Sequence, residues 1–536
     1  MMIPRPVSVK RADDDTFFRL DAHTGVADNG LGHITEDFNE FMDKAFGYRL
    51  KASPDGGIVF ALDMALEPEL GTEGYGIKIT PRGVILRAAA PKGIFYGVQT
   101  LKQIIVRHYA LETVLIPSMD IKDKPLYGYR GYMLDVCRHF FSVEDILKIV
   151  DVLALHKINI LHLHLTDDQG WRVQIDRYPR LTAIGGGRKQ TLGDGRWHGG
   201  YYTQEDIRRI VSYCEQKYIT VIPEIDMPGH SMAAIAAYPH LSCRGETIEV
   251  AESFGIKSDI LCAGKESTYQ FIYGVLDEVA ELFPGPYVHL GGDEAPKDRW
   301  EECPHCRRML RDNHLERMEE LQGLFLNRII AHLKKKGKRA ICWNESLYSG
   351  MLDTDTVCHY WQDGKEAKTV KEALENGRSV IVSRFKPYYL DYPHTMHPLK
   401  AVYAFAPEIA DGNILGVEAP LWTEYVADLS RAEYMTYPRL GAVAEIGWSG
   451  RAHRDYDDFT KRLPVYLRLL DIYNVGYAGP EDRDPGPIKG LGQMLDFVKR
   501  ASFLSKANVQ SMRDSIRANR NIAKARKGMK NLRPNP

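Results

Sequence analysis

From about residue 126 onward the chain repeats one pattern: a short apolar run, a few polar residues, then a stretch whose apolar positions recur at helical spacing. The apolar runs are Gly131–Val136, Ile158–Leu165, Ile219–Ile225, Tyr287–Leu290, Arg339–Trp343, Thr356–Trp361, Ser379–Val382 and Ile414–Ala419. Between them the spacing predicts helices over Ser142–His156, Gln204–Lys217, Thr268–Leu282, Glu316–Lys336, Lys365–Asn376 and Arg431–Leu440. The first of these opens with Ser142 and carries the acidic Asp145 three residues on, a capping-box signature. Runs that are apolar on both faces fit parallel strands under helical cover, and parallel neighbours need crossover helices. The repeats predict an α/β fold, a (β/α)8 TIM barrel. The connection Ser346–Asp355 is too short for a good helix, so the barrel is expected to be irregular there.

Residues before 126 follow a different rule. Tyr75-Gly-Ile-Lys-Ile-Thr80 and Gly83-Val-Ile-Leu-Arg87 alternate like half-buried strands, while Ser53-Pro-Asp-Gly-Gly57 and Pro81-Arg-Gly83 read as turns. Ile94 to Val106 reads as a helix. The expected organisation is a small α+β domain at 1–125, the barrel at 126–475 and a helical, basic C-terminal extension at 476–536. From Lys499 to Arg533 only Asp514 opposes the Lys and Arg residues, which fits a solvated basic helix, an anionic partner or an oligomer neighbour.

Composition then removes whole classes of function. The 536 residues carry 70 Lys and Arg against 71 Asp and Glu, a net charge of −1, so neither nucleic acid nor an anionic membrane surface is expected as the main partner. At 44% hydrophobic and 26% charged residues the chain is globular, and no apolar run approaches the ~20 residues of a membrane span. Met1-Met2-Ile3-Pro4-Arg5-Pro6 lacks a basic segment followed by an apolar core. The expectation is a cytoplasmic protein, or an exported or periplasmic one whose signal has been removed.

In barrels of this kind the loops after the strands build the active site on one face. The strand ends here supply Asp135 and Arg138, Asp167 and Asp168, Glu224, Asp226 and His230, Asp293 and Glu294, Trp343 and Glu345, Trp361, then Trp422 and Glu424. His289-Leu-Gly-Gly-Asp293-Glu294 is the sharpest of these. Two crowded carboxylates resist ionising together, so one can stay protonated as an acid while the other stabilises developing positive charge. Read alone, the pair is equally an Asp-Glu helix cap. Trp343, Trp361 and Trp422 are three of seven Trp and all close predicted strands, where flat apolar faces suit a sugar ring or an acetyl methyl. Arg138 offers forked donors to vicinal hydroxyls, and Asp391 and Glu424 can accept from others.

Four long motifs carry a family resemblance: Arg130-Gly-Tyr-Met-Leu-Asp-Val-Cys-Arg138-His-Phe, His162-Leu-His-Leu-Thr-Asp167-Asp-Gln-Gly-Trp171, Pro223-Glu-Ile-Asp-Met-Pro-Gly-His230 and His289-Leu-Gly-Gly-Asp293-Glu294. They resemble glycoside hydrolase family 20, the β-N-acetylhexosaminidases. Gly93-Ile-Phe-Tyr-Gly-Val-Gln-Thr100 resembles that family's small preceding domain, so the likeness spans roughly residues 1–475.

The resemblance implies an exo-acting, retaining hydrolase of terminal β-linked N-acetylglucosamine or N-acetylgalactosamine, without cofactor or metal. The substrate's 2-acetamido oxygen would attack the anomeric carbon to give an oxazolinium. By the same likeness Glu294 is the acid and base, Asp293 orients the acetamido N–H, and Tyr389 hydrogen-bonds the acetamido oxygen. Asp167 and His230 tune Glu294, while Trp343, Trp361 and Trp422 enclose the acetyl group and sugar face. Arg138, Asp391 and Glu424 hold the hydroxyls of a terminal sugar, Asp391 favouring an unsulfated 6-hydroxyl. Some relatives place a further Trp beyond the Tyr389-Leu-Asp391 motif, and residues 392–413 contain none.

Two motifs stand apart. His162-Leu-His164 has the spacing of a zinc pair on a barrel strand, yet the later strand ends offer Trp and carboxylates, so a packed-core role is expected. Cys303-Pro-His-Cys306 is half a zinc site with no second pair at suitable spacing, which favours a local disulfide or two free thiols; Cys243 and Cys262 could also bridge if the protein is exported.

Overall fold

The computed structural model describes residues 2–12, 15–110, 113–362, 366–405, 407, 413–450, 454–501, 513 and 515–517. Tyr129–Asp135 (β1) and Ile160–His164 (β2) are buried at every position. Strands buried on both faces cannot end in an exposed edge. The chain resolves this by closing the sheet through Thr220–Glu224 (β3), Tyr287–His289 (β4), Arg339–Trp343 (β5), Val357–Tyr360 (β6), Val380–Val382 (β7) and Ile414–Leu421 (β8). Every neighbouring pair is parallel, and β8 pairs with β1. Register aligns Asp135 with His164, His164 with Glu224 and Glu224 with His289, so one row of polar side chains crosses four strands near their C-terminal ends.

Crossover helices Val143–Leu155 (α1) and Gln204–Gln216 (α2) both begin with complete capping boxes, Ser142 with Asp145 and Thr203 with Asp206. Glu266–Leu282 (α3), Met318–Lys335 (α4) and Glu366–Glu375 (α5) follow later strands, and the fifth crossover has only the 3-10 turn Asn344–Ser349. The helix expected over Arg431–Leu440 is instead two, Leu429–Thr436 (α6) and Arg439–Ser449 (α7), broken at Tyr437-Pro438, where proline supplies no N–H. Helix α7 is buried from Arg439 to Trp448 and so has no polar face to mark it in sequence. Tyr456–Ile472 (α8) and Pro487–Arg500 (α9) complete the described chain up to residue 501, and most of the basic stretch 499–533 lies outside the described residues. Among the described residues no helix is long and apolar enough to cross a membrane.

The N-terminal region is a mixed seven-stranded sheet with Ser8–Arg11 at one edge, Met119–Asp123 beside it and Lys51–Ala52 at the other edge, and the helix Pro91–His108 is buried between it and α8. It joins the barrel at the opposite end from the strand C-termini. Arg130 Nη2 meets Glu73 Oε2 at 2.7 Å, and Lys157 Nζ meets Asp123 Oδ2 at 3.0 Å with both side chains fully buried. Removing one partner of such a pair strands a buried charge, so these contacts fix the two units together.

Candidate active site

The polar row laid down by strand register is the foundation of the site. Both ring nitrogens of His164 face carboxylates, Nδ1 toward Glu224 Oε2 at 2.6 Å and Nε2 toward Asp167 Oδ2 at 2.7 Å. Ionised carboxylates only accept, so His164 donates from both nitrogens and is an imidazolium. Burial opposes that charge, but Glu224 and Asp167 outweigh it and raise the pKa well above the ordinary histidine value. His162 lies between Glu418 Oε1 (2.9 Å) and Glu224 Oε2 (3.1 Å), and against the same burial penalty its pKa is pushed up to about 9. The zinc-like spacing of these two histidines thus serves carboxylates in the barrel core.

Asp167 passes the row upward. Its Oδ2 also forms an ion pair with Arg138 Nη2 at 2.8 Å, and its Oδ1 stands 3.3 Å from His230 Nδ1. The other ring nitrogen, His230 Nε2, lies 3.8 Å from both Asp293 Oδ2 and Glu294 Oε2. Burial disfavours charge on His230, yet Asp167 and Asp293 hold its pKa well above the usual value.

The two carboxylates are placed by backbone. Gly291 and Gly292 adopt φ of 65° and 96°, and Glu294 itself φ 40°. A Cβ on Gly291 would come 1.7 Å from Asp226 Oδ1, and one on Gly292 would come 2.2 Å from Ser346 Oγ. Only glycine permits both the left-handed turn and the close approach. The turn is pinned by Glu345 Oε2, which accepts the Glu294 N–H at 2.6 Å, and by Asp226 Oδ1, which accepts the Gly292 N–H at 3.2 Å. Burial, with Glu345 and Asp293 nearby, pushes the Glu294 carboxyl up to about 8 against the opposing pull of His230 and Arg138. Asp293 is raised too, chiefly by burial.

Across the cavity, Trp361 and Tyr389 stack with ring centroids 6.0 Å apart, and Trp422 stands 6.2 Å from Tyr389. The indole N–H groups of Trp361 and Trp422 are buried without a protein acceptor, as is Asp293 Oδ1 without a donor. Burial raises Tyr389 well above the ordinary phenol value, so its hydroxyl stays a donor. Arg138 lies 5.1 Å from the Trp422 ring and commits three N–H groups to Gln169, Asp135 and Asp167, leaving two others. Its Nη2 is 3.9 Å from Glu424 Oε1. Asp391 has one buried oxygen without a donor, and burial together with Glu424 raises its pKa well above the usual carboxylate value.

Arg138, Asp167, His230, Asp293, Glu294, Trp361, Tyr389, Asp391, Trp422 and Glu424 therefore line one cavity of about 250 Å³. Trp343 does not line it. Expected on the wall, it lies one layer deeper, 1% exposed, stacked on His359 at 4.2 Å with its Nε1 donating to Glu224 Oε1 at 2.8 Å. Its centroid is 6.1 Å from Trp422, so it backs that wall. Sequence reasoning missed Phe254, Phe385, Tyr392 and Tyr425 on the rim. Tyr392 and Tyr425 directly follow Asp391 and Glu424 and were legible from that adjacency; Phe254, deep in the long loop after β3, carried no signal.

Fold and cavity define a barrel enzyme whose site pairs one protonated carboxyl with aromatic walls and further carboxyl groups, the equipment of a carbohydrate hydrolase. The family model for glycosyl hydrolase family 20, catalytic domain, matches residues 127–451, and that for domain 2 of the same family matches residues 1–124. The chain belongs to glycosyl hydrolase family 20 and is a glycoside hydrolase of β-N-acetylhexosaminidase type. It is 39% identical over 532 residues to a β-hexosaminidase of Porphyromonas gingivalis, covering 94% of this chain and 67% of the relative. A second β-hexosaminidase, from Akkermansia muciniphila, is 36% identical over 78% of this chain and 88% of its own length. Among solved structures, the exo-β-N-acetylglucosaminidase from Vibrio harveyi in complex with N-acetylglucosamine superposes with a TM-score of 0.81 at 33% identity, covering 89% of this chain and 78% of that one.

Proposed function

We propose that Glu294 is the acid and base of a substrate-assisted hydrolysis of terminal β-linked N-acetylhexosamine in neutral glycans. One observation carries this reading: Asp293 and Glu294 are consecutive, and a single histidine nitrogen stands 3.8 Å from a carboxyl oxygen of each. Both carboxyls therefore work from one side of a bound sugar. The usual pair of carboxylates flanking the glycosidic bond is not what this backbone presents, and the attack must come from the substrate's own acetamido oxygen.

The roles then divide by environment. Glu294, protonated below about pH 8, gives its proton to the glycosidic oxygen as that bond breaks and the acetamido oxygen bonds the anomeric carbon. As an anion it next takes a proton from water, which opens the oxazolinium at the anomeric carbon with retention. Asp293 accepts the acetamido N–H through Oδ1 and balances its positive charge. Tyr389 donates to the acetamido oxygen, and Trp361 and Trp422 enclose the methyl, with Trp343 as their support. The two spare N–H groups of Arg138, with Asp391 and Glu424, bind the sugar hydroxyls. A carboxyl at Asp391 favours an unmodified hydroxyl over a sulfate.

Hydrolysis of 4-nitrophenyl N-acetyl-β-D-glucosaminide, with and without the thiazoline analogue of the oxazolinium, tests the reading. Strong competitive inhibition is expected. Turnover indifferent to the analogue contradicts substrate assistance. Glu294→Gln should lose about 10²–10⁴-fold on chitobiose, whose leaving group needs protonation, and much less on the nitrophenyl glycoside.

A further inference from the structure

Away from the catalytic cavity, the structure gathers four cysteines from two loops. Cys243 and Cys262 belong to the long loop after β3, and Cys303 and Cys306 to the loop after β4. Cys262 Sγ lies 3.6 Å from Cys306 Sγ and 3.8 Å from Cys303 Sγ, and Cys243 Sγ lies 3.8 Å from Cys306 Sγ. All four sulfurs are within 4.8 Å of one another. None is in a disulfide, whose sulfurs would stand about 2.05 Å apart. Four thiolates at ~2.3 Å around one tetrahedral ion are spaced about 3.8 Å from each other, which is the spacing found here.

The surrounding backbone favours this arrangement. Ser242 and Leu261 form an antiparallel bridge that brings Cys243 beside Cys262, although 19 positions separate them. This is the second pair that the sequence does not show, because it is made by a returning loop and not by a short knuckle. Gly264 approaches the other half so closely that a Cβ there would lie 2.2 Å from the His305 carbonyl carbon and 2.3 Å from the Cys306 nitrogen. Cys303 precedes the helix Pro304–Asp312 and Cys306 lies in its first turn, where the helix dipole favours thiolates. Cys262, Cys303 and Cys306 are buried, and Trp300 Nε1 closes the cluster by donating to Leu261 O at 2.9 Å.

We infer that Cys243, Cys262, Cys303 and Cys306 bind one Zn²⁺ as a structural tetrathiolate site. Each thiol releases its proton to solvent on coordination, and four protein ligands leave no position for a reacting water. The ion ties together the two loops that begin at His230 and at Asp293-Glu294. Leu261, next to Cys262, donates its N–H to Pro228 O at 2.9 Å, two residues before His230. The site thereby braces the acid's neighbour without touching substrate.

Elemental analysis of the full chain, purified under reducing conditions without chelator, should return about one zinc per chain. Cys262→Ser with Cys306→Ser should abolish it and lower the melting temperature. Because that variant can fail to fold, the wild-type protein carries the decisive measurements. Exchange with Co²⁺ should give thiolate-to-cobalt charge-transfer and tetrahedral ligand-field bands. Mass mapping after iodoacetamide should find these four cysteines protected until a chelator strips the ion. The inference is overturned if folded wild-type protein stays zinc-free after incubation with Zn²⁺, or if its intact mass is lighter by the hydrogens of one or two disulfides at these positions. Iron at the same stoichiometry overturns the ion assigned.

Discussion

His230 Nε2 stands 3.8 Å from Glu294 Oε2, while Nδ1 of the same ring faces Asp167 Oδ1 at 3.3 Å. The ring thus connects Glu294 in the cavity to the buried carboxylates of the barrel. Its positive charge favours the Glu294 carboxylate, and Glu345 disfavours it.

These opposing neighbours predict opposite pH shifts. A general acid works when protonated, so kcat/KM on a poor leaving group falls as pH rises through the Glu294 value near 8. His230→Gln removes a cation, raises that value and moves the alkaline limb to higher pH. Glu345→Gln removes an anion while keeping an acceptor for the Glu294 N–H, and moves the limb to lower pH. Profiles of both variants that move in one direction would contradict the electrostatic account.

The same carboxyl makes a prediction about stability. Its ordinary value of 4.5 rises to about 8 in the folded chain. Between those pH values the unfolded chain has released the proton and the folded chain has kept it, so stability falls as pH rises across the window. Glu294→Gln has no proton to lose. Its melting temperature should exceed that of the wild type at pH 8 and converge with it toward pH 4.5. A difference that does not change with pH would show that the carboxyl is not held protonated.

The glycines before the carboxylates predict a graded loss. Gly291→Ala drives a methyl to within 1.7 Å of Asp226 Oδ1 at φ 65°, so overpacking adds to backbone strain, together about 2–5 kcal/mol. Gly245→Ala has a similar φ of 70° with nothing within 4 Å, so only strain of about 1–2 kcal/mol applies. Chemical denaturation should rank Gly245→Ala well above Gly291→Ala in stability, and only Gly291→Ala should lose activity, because Asp226 also accepts the Gly292 N–H.

The barrel was legible because its strands are short, mostly apolar and each followed by polar residues, and because the motif spacing placed Asp293, Glu294, His230 and Asp167 at strand ends. What stayed hidden has a physical reason in each case. Helix α7 is buried all round, so no periodicity reports it. Trp343 closes β5 like the other tryptophans, but strand register tilts it against His359 and Glu224 and away from the cavity. The cysteine cluster depends on a bridge between Ser242 and Leu261, a tertiary pairing that local spacing does not encode.

The C-terminal helix α9 lies beyond the family model's last matched residue, 451, yet reaches the cavity wall. Phe497 packs edge-on against Tyr425 at 5.3 Å and lies 5.9 Å from Tyr392, and both tyrosines line the cavity beside Glu424 and Asp391. Gln493 on the same helix accepts the Thr395 N–H at 2.8 Å and fixes the helix to the loop that carries Asp391. Phe497→Ala leaves Glu294, His230, Trp361 and Trp422 untouched but frees the wall that positions Asp391 and Glu424, the carboxyls proposed to bind sugar hydroxyls. KM for chitobiose should rise on the order of tenfold with kcat changed far less, the signature of lost ground-state binding. A fall in kcat at constant KM would mean that the helix acts on the chemical step instead.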